Sequence, residues 1–452
     1  MKSVSPVDGK VFSEWPVHSA DAVEARLARA EAAQQAWAER PLAERLPPLL
    51  RAAELLRRDK RTHAELMVKE MGKPIAQAEG EVEKCAWAFE HYAETAEAGL
   101  AAEKGGTDFE SLVRYDPLGV ILAIMPWNFP YWQVVRFAAP NLAAGNAGLL
   151  KHAENVTGCA MALEALMREA GFPEGVFSTL VVPVSAVEGV IADPRVAAVT
   201  LTGSTRAGAA VAEAAGRHLK KTVLELGGSD AYVVLEDADI ELAVARCAGS
   251  RLLNSGQSCI AAKRFVVLEP VYDAFVEALV ARFEKTTMGE PMSGVDIGPL
   301  AREDLRDGLA GQVEASIAKG ARPLVGGKVP AGPGWFYPPT VLTEVAPGMP
   351  AYGEELFGPA ASVLRAQDEQ DALRIANDSV YGLGGAVFSK DLERAHRFAA
   401  RMNSGAVAIN DFVKSDPRLP FGGIKKSGYG RELGLYGLRE FVNTKTVTVG
   451  AV

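Results

Sequence analysis

From residue 113 to residue 226 the chain repeats one rhythm, a short apolar run followed by a turn or a helical pattern, and few folds accommodate it. The apolar runs fall at 113–115 and 120–125, joined by Asp116-Pro117-Leu118-Gly119 as strand, turn, strand, and then at 147–151, 176–182, 197–202 and 223–226. Helical apolar spacing fills 157–170 and 205–219 between the later runs. Strands separated by helices cannot pair as hairpins. They favour a mostly parallel sheet with helices on both faces, an architecture whose strand ends bind dinucleotides. A second block of the same kind begins after Asp230, with runs at 232–235, 264–268, 359–364, 385–388 and 407–409. The fold class is therefore α/β.

The flanking regions read differently. A turn is expected at Pro6-Val7-Asp8-Gly9, and 22–100 is rich in alanine, glutamate and arginine, with Pro47 and Gly72-Lys73-Pro74 as punctuation. Three or four helices are expected there, their charges mostly forming solvated faces, and none is assigned a function. Residues 293–337, with Gly326-Gly327, read as a loop-rich surface segment.

Composition narrows the partners. The 452 residues suffice for two or three domains, and 48% hydrophobic with 23% charged residues is a globular balance. The longest apolar run, 120–125, stops at Pro126, far short of the ~20 residues a membrane helix needs. No basic start followed by an apolar core precedes the turn, so a cytoplasmic protein is expected. The four cysteines Cys85, Cys159, Cys247 and Cys259 have unrelated spacings, which argues for reduced thiols and against a disulfide framework or a metal site. A net charge of −9 without a basic cluster argues against nucleic acid and leaves a small molecule as the expected partner.

Two stretches carry chemistry. Asn254-Ser255-Gly256-Gln257-Ser258-Cys259 places a thiol on a polar, glycine-containing turn between a helical pattern and a β-branched run, whereas Cys247 lies inside the helical pattern as a core residue. Glu225-Leu226-Gly227-Gly228 ends an apolar strand with a carboxylate. With these two motifs, at about the spacing expected between them, the chain resembles the aldehyde dehydrogenase superfamily along nearly its whole length, with a shorter start than most members. The resemblance implies a three-part fold: a Rossmann-like NAD-binding domain (1–96 and 118–227), an α/β catalytic domain (228–428) and a small β oligomerisation extension (97–117 and 429–452). In the family the C-terminal strand joins a neighbouring subunit's sheet, so the alternating tail 443–449 implies a homodimer or homotetramer.

The resemblance also implies roles. Cys259 would attack an aldehyde carbon, and Asn128, in Pro126-Trp127-Asn128-Phe129-Pro130, would join the Cys259 backbone N–H in stabilising the oxyanion. Glu225 would deprotonate the water that hydrolyses the resulting thioester. Relatives that pass the acyl group to coenzyme A generally lack this glutamate.

For the cofactor, the common Gly-x-Gly-x-x-Gly fingerprint is absent. Thr202-Gly203-Ser204-Thr205-Arg206-Ala207-Gly208 instead ends a strand and opens a helix, and Gly203, Ser204 and Gly208 are expected at the pyrophosphate. Lys151 and Glu154, in Lys151-His152-Ala153-Glu154, match the family's ribose-binding pair. A carboxylate there favours NAD over NADP, although His152 departs from the residue types common in the family. Glu355 and Phe357 would meet the nicotinamide side, and Trp127 and Leu226 would flank the cofactor.

For the aldehyde, Arg136 lies eight residues after Asn128 on an apolar helix, and Ser415 precedes Pro420-Phe421-Gly422-Gly423. In the family's members that act on succinate semialdehyde, an arginine at this position binds the substrate's distant carboxylate. The chain is most similar to the short bacterial form of these, although Leu253 stands where some carry another arginine. The alternatives are a dehydrogenase of another aliphatic or aromatic aldehyde, with Arg136 paired internally, and a non-catalytic binding protein of the same fold.

Overall fold

The alternating runs build two large sheets in a computed structural model that describes residues 1–108 and 110–450. In the six-stranded sheet the spatial order is Gly428–Tyr429, Lys221–Glu225, Val196–Thr202, Val120–Met125, Ala147–His152, Phe177–Thr179. All neighbours are parallel except Gly428–Tyr429, which runs against Lys221–Glu225. From Val120–Met125 the chain steps outward to Phe177–Thr179, then crosses back to the other side of Val120–Met125. Strand order thus reverses at the carboxyl ends of Val120–Met125 and Val196–Thr202, where such sheets open a crevice. Trp127 and Asn128 follow the first of these strands, and Gly203 and Ser204 follow the second.

The seven-stranded sheet has the order Arg322–Val325, Thr340–Thr343, Ala360–Ala366, Ala262–Leu268, Asp230–Val234, Gly384–Phe388, Ala406–Ile409, with only the first pair antiparallel. Its central strands are buried on both faces, as Val, Phe and Ala runs between two helical layers require. Cys259 stands just before Ala262–Leu268, at the centre of this sheet. A three-stranded sheet holds Val442–Thr448 against Ser111–Pro117 and Glu103–Lys104, with Val442–Thr448 at one edge.

The runs at 113–115 and 120–125 are strands joined by a turn, as expected, and they part into different sheets: Ser111–Pro117 belongs to the three-stranded sheet and Val120–Met125 to the six-stranded one. Two expectations change. The segment 293–337 contains the 16-residue helix Glu303–Ala318. Gly308 and Gly311 obscured it by lowering helix propensity, yet both face open space and cost no contact. The N-terminal region forms Ala20–Glu39, Leu42–Arg45, Pro47–Arg58, Lys60–Met71 and Ile75–Leu100, and not all its charges are solvated. Glu70, Lys73 and Glu81 are buried. Glu81 accepts the N–H groups of Tyr131 and Trp132, both at 2.9 Å, at the start of helix Trp132–Ala144. Glu70 does the same for Gly158 and Cys159, again at 2.9 Å, on helix Thr157–Glu169. Each carboxylate satisfies free amides and meets the positive end of a helix dipole.

No helix among the described residues is long and apolar enough to cross a membrane, and none of their acidic, histidine and cysteine side chains cluster in groups of three or more that could hold a metal ion.

Candidate active site

The thiol loop is held in a conformation that most residues avoid. After helix Ile240–Leu252, Asn254, Ser255 and Gly256 have φ of 55°, 54° and 77°, three left-handed residues in succession. For the two that are not glycine this costs ~1–3 kcal/mol each, so neighbours must over-determine the turn. They do. The Asn254 N–H donates to Gln77 Oε1 at 2.7 Å, and its side-chain amide donates to the carbonyls of Asn128 at 2.7 Å and Gln257 at 3.1 Å. Gln257 Oε1 accepts the Ala301 N–H at 2.9 Å. A Cβ on Gly256 would lie 2.2 Å from the Gly358 carbonyl, so only glycine lets the two loops touch. Lys263 then anchors the far side, donating to the carbonyls of Ser258 at 2.9 Å and Cys259 at 2.5 Å while pairing with Glu355 at 3.1 Å.

The loop sets Cys259 between two cavities, and among the described residues no other lines both. The larger, about 900 Å³, runs past Trp127, Asn128, Lys151, Glu154, Gly203, Ser204, Leu226, Glu355 and Phe357. The smaller, about 270 Å³, is walled by Phe129, Trp132, Phe412 and Phe421, with Lys84, Arg136 and Ser415 among its polar residues. Of the expected cofactor residues only Gly208 is missing from the larger wall. It lies one turn inside helix Thr205–Arg217, where a Cβ would come within 2.5 Å of Leu226, so its small size seats the helix against a residue that does line the cavity. His152 also faces away. Its Nε2 donates to the Pro130 carbonyl at 2.9 Å while its Nδ1 accepts the Ala153 N–H at 3.0 Å, tying the end of the loop that carries Asn128 to the chain beyond strand Ala147–His152. Its departure from the family pattern is thus structural.

Sequence reasoning overlooked several wall residues. Arg206, exposed at the rim of the larger cavity, was hidden in an ordinary helix start, and Ala301–Leu305 lay in the segment read as surface loop. Lys84 was taken for a solvated charge.

Electrostatics divide the site. Burial pushes the Cys259 thiol up to about 11, against the pull of Lys263 and Arg136 and with a further push from Glu355 and Glu225, so the resting group is a thiol. Glu225 is buried, lines neither cavity, and has no hydrogen-bond partner for either carboxyl oxygen. Burial holds its carboxyl well above the usual range, opposed chiefly by Arg136. The Asn128 amide donates to the Gln257 carbonyl at 3.1 Å, two residues from the sulfur. Arg136 lines the smaller cavity but its charge is met from within the protein: it is ion-paired with buried Glu432, donates to Thr202 Oγ1 at 3.1 Å and stacks 4.8 Å from the Phe421 ring centre. Glu355 is likewise held, by Lys263 and by the Gly228 N–H at 3.0 Å. Trp127 and Phe357 meet edge to face at 5.7 Å.

A model of the aldehyde dehydrogenase family matches residues 1–447. The chain belongs to this family. Among its relatives, the NADP(+) succinate-semialdehyde dehydrogenase 1 of Mycobacterium ulcerans is 48% identical over 455 residues, covering 99% of each chain, and that of Mycobacterium tuberculosis is 48% identical over 453 residues with the same coverage. A crystal structure of succinic semialdehyde dehydrogenase from Streptococcus pyogenes, in complex with NADP+ as the cofactor, has a TM-score of 0.98 at 39% identity and covers 100% of both chains. In this aldehyde dehydrogenase the cavities of about 900 Å³ and 270 Å³ meet at Cys259. The names of the relatives point away from the NAD preference expected from Glu154.

Proposed function

We propose that this aldehyde dehydrogenase oxidises succinate semialdehyde to succinate with NADP+. The observation that carries the reading is the placement of Cys259 as the one wall residue, among the described residues, common to a cavity of about 900 Å³ at the strand ends and a small, largely aromatic one. Full-length relatives at 48% identity bear the corresponding name.

Cys259 gives its proton to water, and its sulfur attacks the aldehyde carbon as the carbonyl π bond opens to the oxygen, giving a thiohemiacetal. The oxyanion falls to the Asn128 amide and the Cys259 N–H, which the left-handed turn orients. A nicotinamide dinucleotide, when bound, supplies the hydride acceptor that brings the carbon to the acyl level. Cys259 then carries a thioester. Glu225, once ionised and turned toward the cavity, takes a proton from water, and the hydroxide attacks the thioester carbonyl; the carbon–sulfur bond breaks and the acid leaves. The absence of hydrogen-bond partners for the Glu225 carboxyl among the described residues suits a side chain free to make this turn.

The dinucleotide fits the larger cavity. Lys151 and Glu154 stand where the ribose would lie, and Gly203 and Ser204 present the first turn of helix Thr205–Arg217 to the pyrophosphate. Lys151 has no ion-pair partner among the described residues, and Arg206 adds a second cation at the rim; both would favour a 2′-phosphate, which Glu154 opposes. Three structural units, divided as the sheets suggest, and a homodimer or homotetramer through the free edge of Val442–Thr448 complete the proposal, with the cytoplasm as the reducing compartment that keeps Cys259 a thiol.

A second reading, oxidation of an uncharged aldehyde, is favoured by the Arg136–Glu432 pair, which neutralises the expected carboxylate-binding charge. Rates for succinate semialdehyde and butanal, each with NAD+ and NADP+, separate the two. We expect succinate semialdehyde with NADP+ to be fastest and Cys259→Ala to abolish turnover; equal rates for the two aldehydes would sink the proposal.

A further inference from the structure

Four successive carbonyls of the thiol loop are each held by a side-chain donor. The Gly256 carbonyl accepts from the buried Arg251 guanidinium, the Gln257 carbonyl from the Asn128 and Asn254 amides, and the Ser258 and Cys259 carbonyls both accept from Lys263. The N–H groups of Ser258 and Cys259 have no acceptor among the described residues. Their peptide bonds are trans, so each carbonyl and the N–H of the residue that follows point in opposite directions. A donor that takes the Ser258 carbonyl therefore turns the Cys259 N–H away from itself, with its hydrogen uncommitted.

Lys263 stands apart from the other donors. It holds the carbonyls on both sides of the Cys259 α-carbon, which fixes that residue's backbone and with it the direction in which the sulfur leaves the chain. Its third N–H goes to Glu355 at 3.1 Å. Three donors thus meet three acceptors, as a cation only 1% exposed requires. Lys263 lines neither cavity, whereas Glu355 lines the larger one. The ammonium reaches the site only through the peptide groups it holds. A cation on a carbonyl draws electron density along the peptide unit and leaves the attached N–H a stronger donor.

We propose that Lys263 is a positioning residue that aims and polarises the Cys259 N–H for the oxyanion, and that Glu355, by sharing the ammonium, sets how much of its charge reaches the thiol loop. The proposal rests on the reading that Cys259 is the nucleophile and its N–H an oxyanion donor. A charge that favours an oxyanion on the acyl carbon also favours a thiolate on the same residue. Burial raises the Cys259 pKa, Lys263 and Arg136 lower it, and Glu355 and Glu225 raise it. Reactivity of the thiolate is therefore a second reporter of the Lys263 charge, read with neither dinucleotide nor aldehyde present.

The test uses the full-length enzyme and two readouts: the rate of the first burst of reduced dinucleotide, with whichever aldehyde is turned over fastest, and the rate at which iodoacetamide alkylates Cys259 in the dinucleotide-free enzyme at one fixed pH, followed by peptide mass. Lys263→Met is expected to slow the burst by about 10- to 100-fold, the range of a charge-assisted hydrogen bond, and alkylation by about tenfold. Lys263→Arg recovers part of both. Glu355→Gln, which leaves the ammonium to the loop alone, is expected to speed alkylation by about three- to tenfold. A loop that is merely disturbed would move both variants the same way. Alkylation unmoved in Lys263→Met, or slowed in Glu355→Gln, overturns the proposal, and the second result decides alone should Lys263→Met fold poorly. Turnover that survives Cys259→Ala removes the nucleophile and the proposal together; turnover abolished there, with the burst unchanged in Lys263→Met, removes the proposal alone.

Discussion

The two cavities that meet at Cys259 are built by opposite means. The larger is lined by loops at the carboxyl ends of parallel strands, and its wall residues come in short contiguous runs such as Pro126-Trp127-Asn128 and Gly203-Ser204. The smaller is assembled from side chains of helix Ile75–Leu100, helix Trp132–Ala144, the thiol loop and residues 412–421, hundreds of positions apart. Recognition in the first relies on backbone geometry, which repeats wherever a strand gives way to a helix. In the second it depends on side chains that packing brings together, as Arg136 meets Glu432 and Lys84 meets Ser415.

That contrast can be broken or sharpened at several points. The largest effect is expected at the sulfur both cavities share. Glu225→Gln should slow steady-state turnover by about 10²–10⁴-fold while leaving a burst of one reduced dinucleotide per active site, because acylation precedes the proton transfer Glu225 performs. Stopped-flow absorbance checks this, and loss of the burst would place Glu225 in the first half of the reaction instead.

Next in size is the pH response of the thiol. With its pKa raised to about 11, Cys259 gains reactive thiolate as pH rises. Its alkylation by iodoacetamide in the dinucleotide-free enzyme should therefore quicken by about tenfold per pH unit between 7 and 10, the slope expected below a thiol's pKa. A flat profile would mean that Lys263 and Arg136 outweigh burial.

The smallest effect belongs to the outer end of the larger cavity. Glu154 is exposed, so Glu154→Gln should raise kcat/KM for NADP+ relative to NAD+ by only about three- to tenfold, as a screened surface charge allows. A fall in that ratio would show that the carboxylate aids the 2′-phosphate, through Lys151 or Arg206, and would reverse the argument made from the motif.

Much of this was legible from residues alone. Both α/β blocks, the thiol turn and the Asn128 loop follow from periodicity and local motif, since parallel strands and their end loops are encoded over short windows. The pairing of Ser111–Pro117 with Val442–Thr448 came only from the family resemblance, which sets 97–117 and 429–452 in one β extension, because no local window joins segments more than three hundred positions apart. Helix Glu303–Ala318 was not legible, because its exposed glycines imitate a loop. The helical start of the chain hid the most: a glutamate every few positions looks solvated in any window. Glu70 and Glu81 nonetheless turn inward to satisfy the amides of helices that begin far downstream.

What the sequence by itself determined is the make-up of the candidate site: a sulfur on a glycine-containing turn, a carboxylate ending a strand, and parallel strand ends that open helices. Only the tertiary structure decided which charges meet. Whether a buried cation is matched depends on neighbours brought together by packing, and Coulomb attraction and desolvation act on distance in space, where separation along the chain has no weight. Hence Arg136, conspicuous on an apolar helix, is paired with Glu432, and Lys84, inconspicuous among many surface-like charges, lines the smaller cavity.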